Sequence, residues 1–332
     1  MLFSACETDF DVNAEWEETT VVFGLLDASD ENQLQKIKIS KAFLGNMDAY
    51  QMAQYADSIN FDTANIDVII YKWGFSEIED SVALKAVPSA RDGDIFNDNI
   101  VVYEFENENL FLQKGYEYEL VITNTKTGNI VTSRTSIIDK APAWENFQPN
   151  YDIGFYKNDL SDFWFKTIRW GNVDEGSIYQ LNLIFKYLEI NKETSVIDSI
   201  SIEWLQDLKS STSGSMSITI EGEDFFDFLA EEIKIDNDVI REYEGLFLEM
   251  TVGSEDLETY INVNKPITGI VQQRPVFTNI NNGIGLFSTR FVYTQKIGPL
   301  NDELVVGGLN EGSHYYINNI LNRSFDYPYE DK

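Results

Sequence analysis

Strand-length segments dominate the sequence from Thr19 onward. Each is rich in β-branched and aromatic residues and ends at a cluster of turn residues, which is the pattern of β-strands. In the first half of the chain they cover 19–26, 35–44, 66–73, 100–105, 115–124 and 130–137. In the second half they cover 163–170, 178–190, 196–205, 215–222, 246–252 and 276–280. The sequence therefore predicts a mainly β protein.

A hairpin in the first half refines this prediction. In GYEYELVITN the alternate residues from Tyr116 to Ile122 are apolar and share one face, and a Thr-Gly-Asn turn leads into a second strand. This pattern resembles a late hairpin of an immunoglobulin or fibronectin type III sandwich. We therefore expect an N-terminal immunoglobulin/fibronectin-III-like β-sandwich over residues 19–140.

The segment APAWENFQPN interrupts the strand pattern. Its residues 141–150 include two prolines, so we predict a linker there. A second antiparallel β domain with one or two short helices is then expected over 151–297, followed by a C-terminal tail over 298–332. Residues 1–18 are expected to form a tether before the first domain.

Two segments have the composition of short helices. GEDFFDFLAEEIK (222–234) places Phe225 and Phe228 along one side and is predicted to cap the second sheet. The other segment runs from about Asp48 to Ala56, in a long connection of the kind that often binds partners. Packing of this insertion on its own domain is the alternative. The candidate partner-binding residues there are Met47, Tyr50, Met52 and Tyr55.

The charge balance excludes several partners. The chain has 56 acidic and 24 basic residues, for a formal net charge of −32. Binding to nucleic acids or anionic lipid surfaces requires Lys and Arg patches, so neither is an expected partner. Carboxylates can instead hold a structural calcium ion, and the best candidate is RDGDIFNDN. A plain polar turn is the favoured alternative, because the EF-hand spacing is missing. The candidate ligands are Asp92, Asp94, Asn97 and Asp98.

Catalytic side chains are scarce. Cys6 and His314 are the only cysteine and histidine, whereas most serine, cysteine and metal-dependent hydrolases need a histidine. We expect His314, in EGSHYYINN, to be structural or exposed, and we expect the protein not to be an enzyme. Exposed tryptophans could contact sugars or proteins, with core packing as the alternative. The tryptophans in question are Trp164, Trp170 and Trp204.

The N-terminus predicts a lipid anchor. The sequence MLFSA runs into Cys6 and looks like the end of an apolar signal segment before an acylated cysteine, with a buried free thiol as the alternative. Five residues are too few for a complete signal, so we expect a truncated start. No apolar window is long enough for a membrane-spanning helix. Acidic residues that follow the cysteine resemble the surface-export signal of Bacteroidota lipoproteins, and here they are Glu7, Asp9 and Asp11.

The string RPVFTNINNGIGLFSTR (274–290) predicts a hairpin, with a tight turn at Asn281, Asn282 and Gly283. As a whole it resembles the closing motif of a Bacteroidota outer-membrane lipoprotein family of unknown function. Its members accompany TonB-dependent, SusC-like transporters. The resemblance extends over roughly residues 6–293. It includes the cysteine after a lipobox-like segment, the strands VVFGLL and QKIKISKAF, and the hairpin strand GYEYELVITN.

This resemblance has implications for location and function, and it supplies no catalytic residues. It implies a lipoprotein at the outer membrane, exposed on the cell surface. It also implies a non-catalytic accessory subunit of an outer-membrane β-barrel complex, such as a transporter, a secretion machine or an assembly machine. A glycan- or peptide-binding lipoprotein that captures nutrients for import is the alternative. Typical members open with a fuller signal peptide, and the segment after about Gly298 has no counterpart in the family pattern.

Overall fold

The computed structural model describes residues 19–29, 33–42, 59–89, 100–108, 111–157, 159–211, 213–266, 276–298, 307–323 and 325–326. Three groups of predicted site residues lie outside these ranges, so their predictions stay predictions. They are the anchor and export residues Cys6, Glu7, Asp9 and Asp11, the partner-binding residues Met47, Tyr50, Met52 and Tyr55, and the metal ligands Asp92, Asp94, Asn97 and Asp98.

Strands and short helices make up the described chain. The first half contains β1 (Thr19–Asp27), β2 (Leu34–Ala42), β3 (Ile66–Trp73), β4 (Ile78–Ala83), β5 (Lys85–Ser89), β6 (Ile100–Glu106), β7 (Glu117–Asn124) and β8 (Ile130–Thr135). The second half contains β9 (Tyr156–Lys157), β10 (Asp162–Phe163), β11 (Phe165–Gly171), β12 (Ile178–Asn191), β13 (Ile197–Leu205), β14 (Lys209–Ser210), β15 (Ser215–Glu221), β16 (Val239–Gly253), β17 (Gly283–Lys296) and β18 (Phe325–Asp326). The described α-helices are α1 (Gly222–Glu232), α2 (Glu255–Asn264) and α3 (Glu311–Tyr315), and α3 continues into a π turn over Tyr316–Ile320. A short 3-10 helix covers Thr63–Asn65.

The first half is a β-sandwich. One layer has the strand order β1-β2-β6-β5 and the other has the order β4-β3-β7-β8. These orders match the two sheets of an immunoglobulin-type domain. Alternate residues of both layers point inward, and the core they form includes Val22, Ile37, Val68, Ile70, Tyr103, Leu120 and Ile122. The mainly β fold and the N-terminal sandwich predicted from the sequence are confirmed.

A buried tyrosine fixes the corner between β6 and β7. The Tyr118 hydroxyl donates a hydrogen bond to the Phe111 carbonyl oxygen at 2.7 Å and accepts one from the Gln113 amide nitrogen at 2.6 Å. This is the arrangement known as the tyrosine corner of immunoglobulin-like sandwiches. Burial raises the pKa of Tyr118 above its usual value. The hydroxyl therefore remains protonated and keeps donating.

The second half packs a long antiparallel sheet against a ribbon and a helix. The sheet contains β13, β12, β16 and β17 in that order, while β11 and β15 pair only with each other among the named strands. Helix α1 buries Phe225, Phe226 and Leu229 in the core between these layers. The helix predicted over 222–234 is therefore present, and it ends two residues earlier than expected.

One strand pairing joins the two halves into a continuous ten-stranded sheet. Strand β1 runs parallel to β17, from Thr20 opposite Gly283 to Asp27 opposite Arg290. The close approach requires a glycine, because a Cβ atom on Gly285 would meet the Val22 carbonyl oxygen at 2.0 Å and its φ is +114°. Strand β17 also pairs antiparallel with β16.

The strand predicted over 276–280, which was also the first strand of the predicted hairpin over 274–290, is wrong. Residues 276–280 form no strand, and Asn281 makes an isolated bridge to Thr132 of β8. The Asn279 carboxamide donates to the Phe287 carbonyl at 2.7 Å and accepts from the Phe287 amide at 3.0 Å. Strand β17 finds its partners in β1 and β16, so long-range pairing overrides the local turn signal.

The predicted linker and tail both pack on the second core. In the 141–150 segment Trp144 forms a bridge with Trp170, and Phe147 is buried. Among the described residues of the 298–332 segment, Leu309, Ile317 and Phe325 belong to the second hydrophobic core. The boundary between the two domains stays a prediction, but these segments are not free connectors.

The tyrosine corner leads to a stability prediction. Replacing Tyr118 by Phe removes the hydroxyl and leaves a buried carbonyl and a partly buried amide without that partner. We expect the free energy of unfolding to fall by about 1–3 kcal/mol, measured by urea denaturation. The control is Tyr151→Phe, because Tyr151 is well exposed. Equal stability of Tyr118→Phe and the unmodified chain would contradict the role of this hydroxyl.

Candidate functional site

A groove of about 490 Å³ lies on the outer face of the shared sheet, between β2 and α2. Val22 and Leu26 of β1 point into the first core, so Phe23 and Leu25 point to the opposite face and form the floor of the groove with Leu286 of β17. Leu34 and Lys36 form one wall. The other wall is Leu257, Tyr260 and Ile261 of α2.

The groove and its surroundings expose large apolar side chains. Phe23 is 40% exposed, Leu34 is 42% exposed, and Ile284, on the same face of β17, is 41% exposed. The ring of Phe23 meets that of Tyr260 edge-on, with 5.8 Å between the centroids. A contiguous exposed apolar surface with a polar rim is typical of a site where a protein partner docks.

An ion pair closes one end of the groove. Arg290 Nε donates to Asp27 Oδ2 at 3.2 Å, and the Ser29 amide donates to Asp27 Oδ1 at 3.0 Å. The Asp27 carboxylate is buried, whereas the Arg290 side chain is 43% exposed. The groove therefore combines an apolar floor with an accessible cation at its rim.

Gln35 shapes the same end of the groove. The regular pairing of β1 with β2 stops at Gly24 opposite Ile37, and the two strands separate beyond it. Beyond this point the buried Gln35 carboxamide forms the hydrogen bonds that a paired strand would otherwise form with β1. Its Nε2 donates to the Asp27 carbonyl at 2.8 Å, and its Oε1 accepts from the Asp27 amide at 2.9 Å. The backbone amide and carbonyl of Asp27 thus form hydrogen bonds although β2 no longer pairs with β1 at this position.

A second depression, here called the cleft, lies between β8 and the start of α2 and has a volume of about 400 Å³. It is polar, and several of its charged side chains form ion pairs or hydrogen bonds. Arg134 bonds to Glu117 at 3.5 Å, Ser136 Oγ donates to Glu175 at 3.0 Å, and Asn279 donates to Asp256 at 2.8 Å. At its margin the Lys114 ammonium lowers the pKa of Asp174.

The chemistry of the cleft is that of a paired polar surface. Nowhere in the described ranges do three or more His, Cys, Asp or Glu side chains form a group that could hold a metal ion. Three of the cleft carboxylates, those of Glu117, Glu175 and Asp256, are engaged by a guanidinium, a hydroxyl and a carboxamide.

His314 lies in the second core, beside the ring of Tyr243 with 5.1 Å between the centroids. Its imidazole is almost fully buried, and this burial lowers the pKa of His314 to about 3. The ring is therefore neutral at physiological pH. Of the two expectations for His314, structural or exposed, the structure supports the structural one.

The three predicted tryptophans separate into two groups. Trp170 is fully buried, and Trp204 is partly buried against Phe228, with the rings 5.3 Å apart and nearly parallel. Trp164 is 46% exposed. Core packing accounts for the first two, and only Trp164 retains an accessible ring.

Sequence reasoning missed the residues of the groove, although one signal for it was present. A strand that is buried on one face normally carries polar residues on the other. TVVFGLL instead carries Val21, Phe23 and Leu25 on the face opposite to Val22 and Leu26. Apolar residues on both faces of β1 indicate that its outer face is also a contact surface.

Comparisons with known proteins assign no family. No protein-family model matches the chain, and no curated protein matches it. Among solved structures, the chain is similar to the C-terminal globular domain of an oligosaccharyltransferase from Pyrococcus abyssi, with a TM-score of 0.26 and 12% sequence identity. The alignment covers 71% of this chain and 46% of that structure, so the chain spans less than half of its length. A similarity this low carries no argument about function.

Hydropathy adds one finding about the helices. None of the helices in the described parts of the chain is long and apolar enough to cross a membrane.

Gln35 provides a test of how the groove is built. In Gln35→Glu the shape is kept, but the amide donor to the Asp27 carbonyl is lost and a charge is buried. We expect the free energy of unfolding to fall by about 1–3 kcal/mol or more, because an unsatisfied buried polar group costs about this much and a buried charge costs more. Denaturation of Gln35→Glu is compared with that of Gln148→Glu, an exposed position. If both substitutions lowered the free energy of unfolding equally, the hydrogen bonds of the Gln35 carboxamide would not be needed at the end of β1.

Proposed function

We propose that this chain is a surface-exposed outer-membrane lipoprotein that acts as a non-catalytic accessory subunit of an outer-membrane β-barrel complex. The complex would be a TonB-dependent transporter, a secretion machine or an assembly machine. The observation that carries the docking role is the exposed apolar groove between β2 and α2. The anchor at Cys6 and the class of partner are supported by the sequence resemblance alone.

The groove fits the surface of a protein better than a small substrate. Its floor and walls are mainly apolar, and the polar groups around it form the Asp27–Arg290 pair and the Lys36–Glu104 pair at its rim. Protein interfaces combine an apolar centre with a polar rim in this way. The isolated chain leaves Phe23, Leu34 and Ile284 partly exposed to water. A partner that buries these side chains would gain binding free energy from the hydrophobic effect.

The chemistry of the described residues supports a role without catalysis. A general base near neutral pH requires a group that titrates there and reaches a substrate. The buried, neutral His314 does neither, and three carboxylates of the cleft have hydrogen-bond or ion-pair partners. Binding is therefore the function that the geometry supports best.

A lipoprotein that captures a glycan or peptide for import is the second candidate. The observation that favours it is the exposed ring of Trp164, which lies outside the groove. The two candidates use different surfaces and can be tested separately.

Co-purification from native membranes tests the first candidate. A tagged full-length chain is solubilised in mild detergent and recovered with its bound proteins. We expect an outer-membrane β-barrel protein to accompany the unmodified chain. Phe23→Asp and Leu34→Asp should each lose it, because a charge in the apolar groove must be desolvated on docking.

The matched control is Phe75→Asp, which changes a fully exposed aromatic residue outside the groove. This variant should retain the partner. Recovery of the unmodified chain alone would contradict the proposal. Equal recovery of a β-barrel protein with Phe23→Asp and Phe75→Asp would place the docking surface elsewhere.

A further inference from the structure

The ribbon formed by β11 and β15 has one buried face and one open face. Ile168 and Trp170 of β11 and Ile218 and Ile220 of β15 point into the second core. Because side chains alternate along a strand, the intervening residues point outward. Direct cross-strand neighbours on this open face are Phe165 and Glu221, Thr167 and Thr219, and Arg169 and Ser217.

Two aromatic rings lie at one end of the open face. Trp164 is 46% exposed and Phe165 is 52% exposed. Their planes are 10° from parallel, with 6.0 Å between the centroids. The Lys157 ammonium lies 3.4 Å from the centroid of the Trp164 ring and holds the indole in place by a cation–π contact. The two parallel rings therefore support each other, and both remain partly exposed to solvent.

The backbone beneath these rings is held firmly. The Trp164 amide donates to the Phe155 carbonyl oxygen at 2.8 Å. The start of α1 packs directly on both carbonyls, since a Cβ atom on Gly222 would lie 2.5 Å from the Trp164 oxygen and closer still to that of Phe155. Rings on such a rigid support lose little conformational entropy when a ligand binds.

The rest of the open face is polar. The hydroxyls of Thr167 and Thr219 lie 2.9 Å apart, and the Arg169 side chain is exposed. Beside them Ser215 Oγ donates to Glu145 Oε1 at 2.6 Å. From Phe165 to Arg169 the strand advances about 13 Å at about 3.3 Å per residue. Aromatic and polar groups thus follow one another along the strand over the length of a short oligosaccharide.

We propose that this open face of the ribbon is a binding site for a neutral oligosaccharide. The exposed parts of the Trp164 and Phe165 rings contact the apolar C–H face of one sugar ring. Thr167, Thr219 and Arg169 exchange hydrogen bonds with the hydroxyl groups of the next sugar rings. The site is separate from the groove and does not rest on the docking role proposed for it.

The distribution of groups distinguishes a glycan from other ligands. A protein interface has an apolar centre surrounded by a polar rim, whereas here the apolar rings lie at one end of a polar row. Nucleic acids and other polyanions are repelled by a chain of net charge −32. The face itself carries one cation, Arg169, beside the carboxylates of Glu145 and Glu221. It therefore lacks the cluster of cations that an anionic ligand requires, and a ligand without charge fits better.

Affinity electrophoresis tests the proposal with the full chain. Native gels are cast with soluble starch, xylan, mixed-linkage β-glucan, galactomannan or mannan, and migration is compared with a gel without polysaccharide. We expect retardation in at least one of these gels. Phe165→Ala and Trp164→Ala should weaken the apparent affinity about tenfold, because the aromatic contact with the sugar ring is lost.

The controls make each outcome decisive. Phe75→Ala removes an exposed aromatic ring outside the ribbon, and Phe23→Asp disables the groove, so both should be retarded like the unmodified chain. Thermal melting verifies that the ribbon variants are folded. No retardation in any gel overturns the proposal, and so does retardation that is unchanged in Phe165→Ala. Loss of β-barrel co-purification in Phe165→Ala without a change in retardation would identify the ribbon as a protein contact.

Discussion

The parallel pairing of β1 with β17 is the contact on which the rest of the structure depends. It joins strands from opposite ends of the described chain, and the Thr289 hydroxyl reinforces it by donating to the Leu26 carbonyl, 263 positions away in sequence, at 3.0 Å. Without it the first sandwich and the second sheet would be separate layers. Gly285 permits the pairing, because any side chain there would collide with the backbone of Val22.

The groove is a direct product of this pairing. Phe23 of β1 lies opposite Leu286 of β17, so its floor comes from both halves of the chain. The ion pair that closes it also spans the two strands, with Asp27 on β1 and Arg290 on β17. Helix α2 forms the remaining wall. The surface to which we assign docking therefore exists only when the two halves share one sheet.

The sequence predicted what depends on local periodicity. The alternation in GYEYELVITN identified the hairpin of the sandwich, and apolar spacing identified α1. It failed where distant segments compete for a strand: the Asn-Asn-Gly signal predicted a hairpin at 274–290, but β17 pairs with β1 and β16. Strands β4 and β5 were not predicted, because most of their residues are exposed and they lack the alternating apolar pattern of a half-buried strand. The groove was not predicted, because its residues come together only through long-range strand pairing. The apolar residues on both faces of β1 were the one signal for it in the sequence.

Photo-crosslinking in intact cells tests the central functional claim most directly. A photoreactive amino acid is placed at position 34 in the wall of the groove. A second variant carries it at position 75, in the turn between β3 and β4 and outside the groove, as a reference for non-specific capture. We expect a covalent adduct with an outer-membrane β-barrel protein from position 34 and none from position 75. Absence of an adduct from position 34, or equal adducts from both positions, would contradict the docking role of the groove.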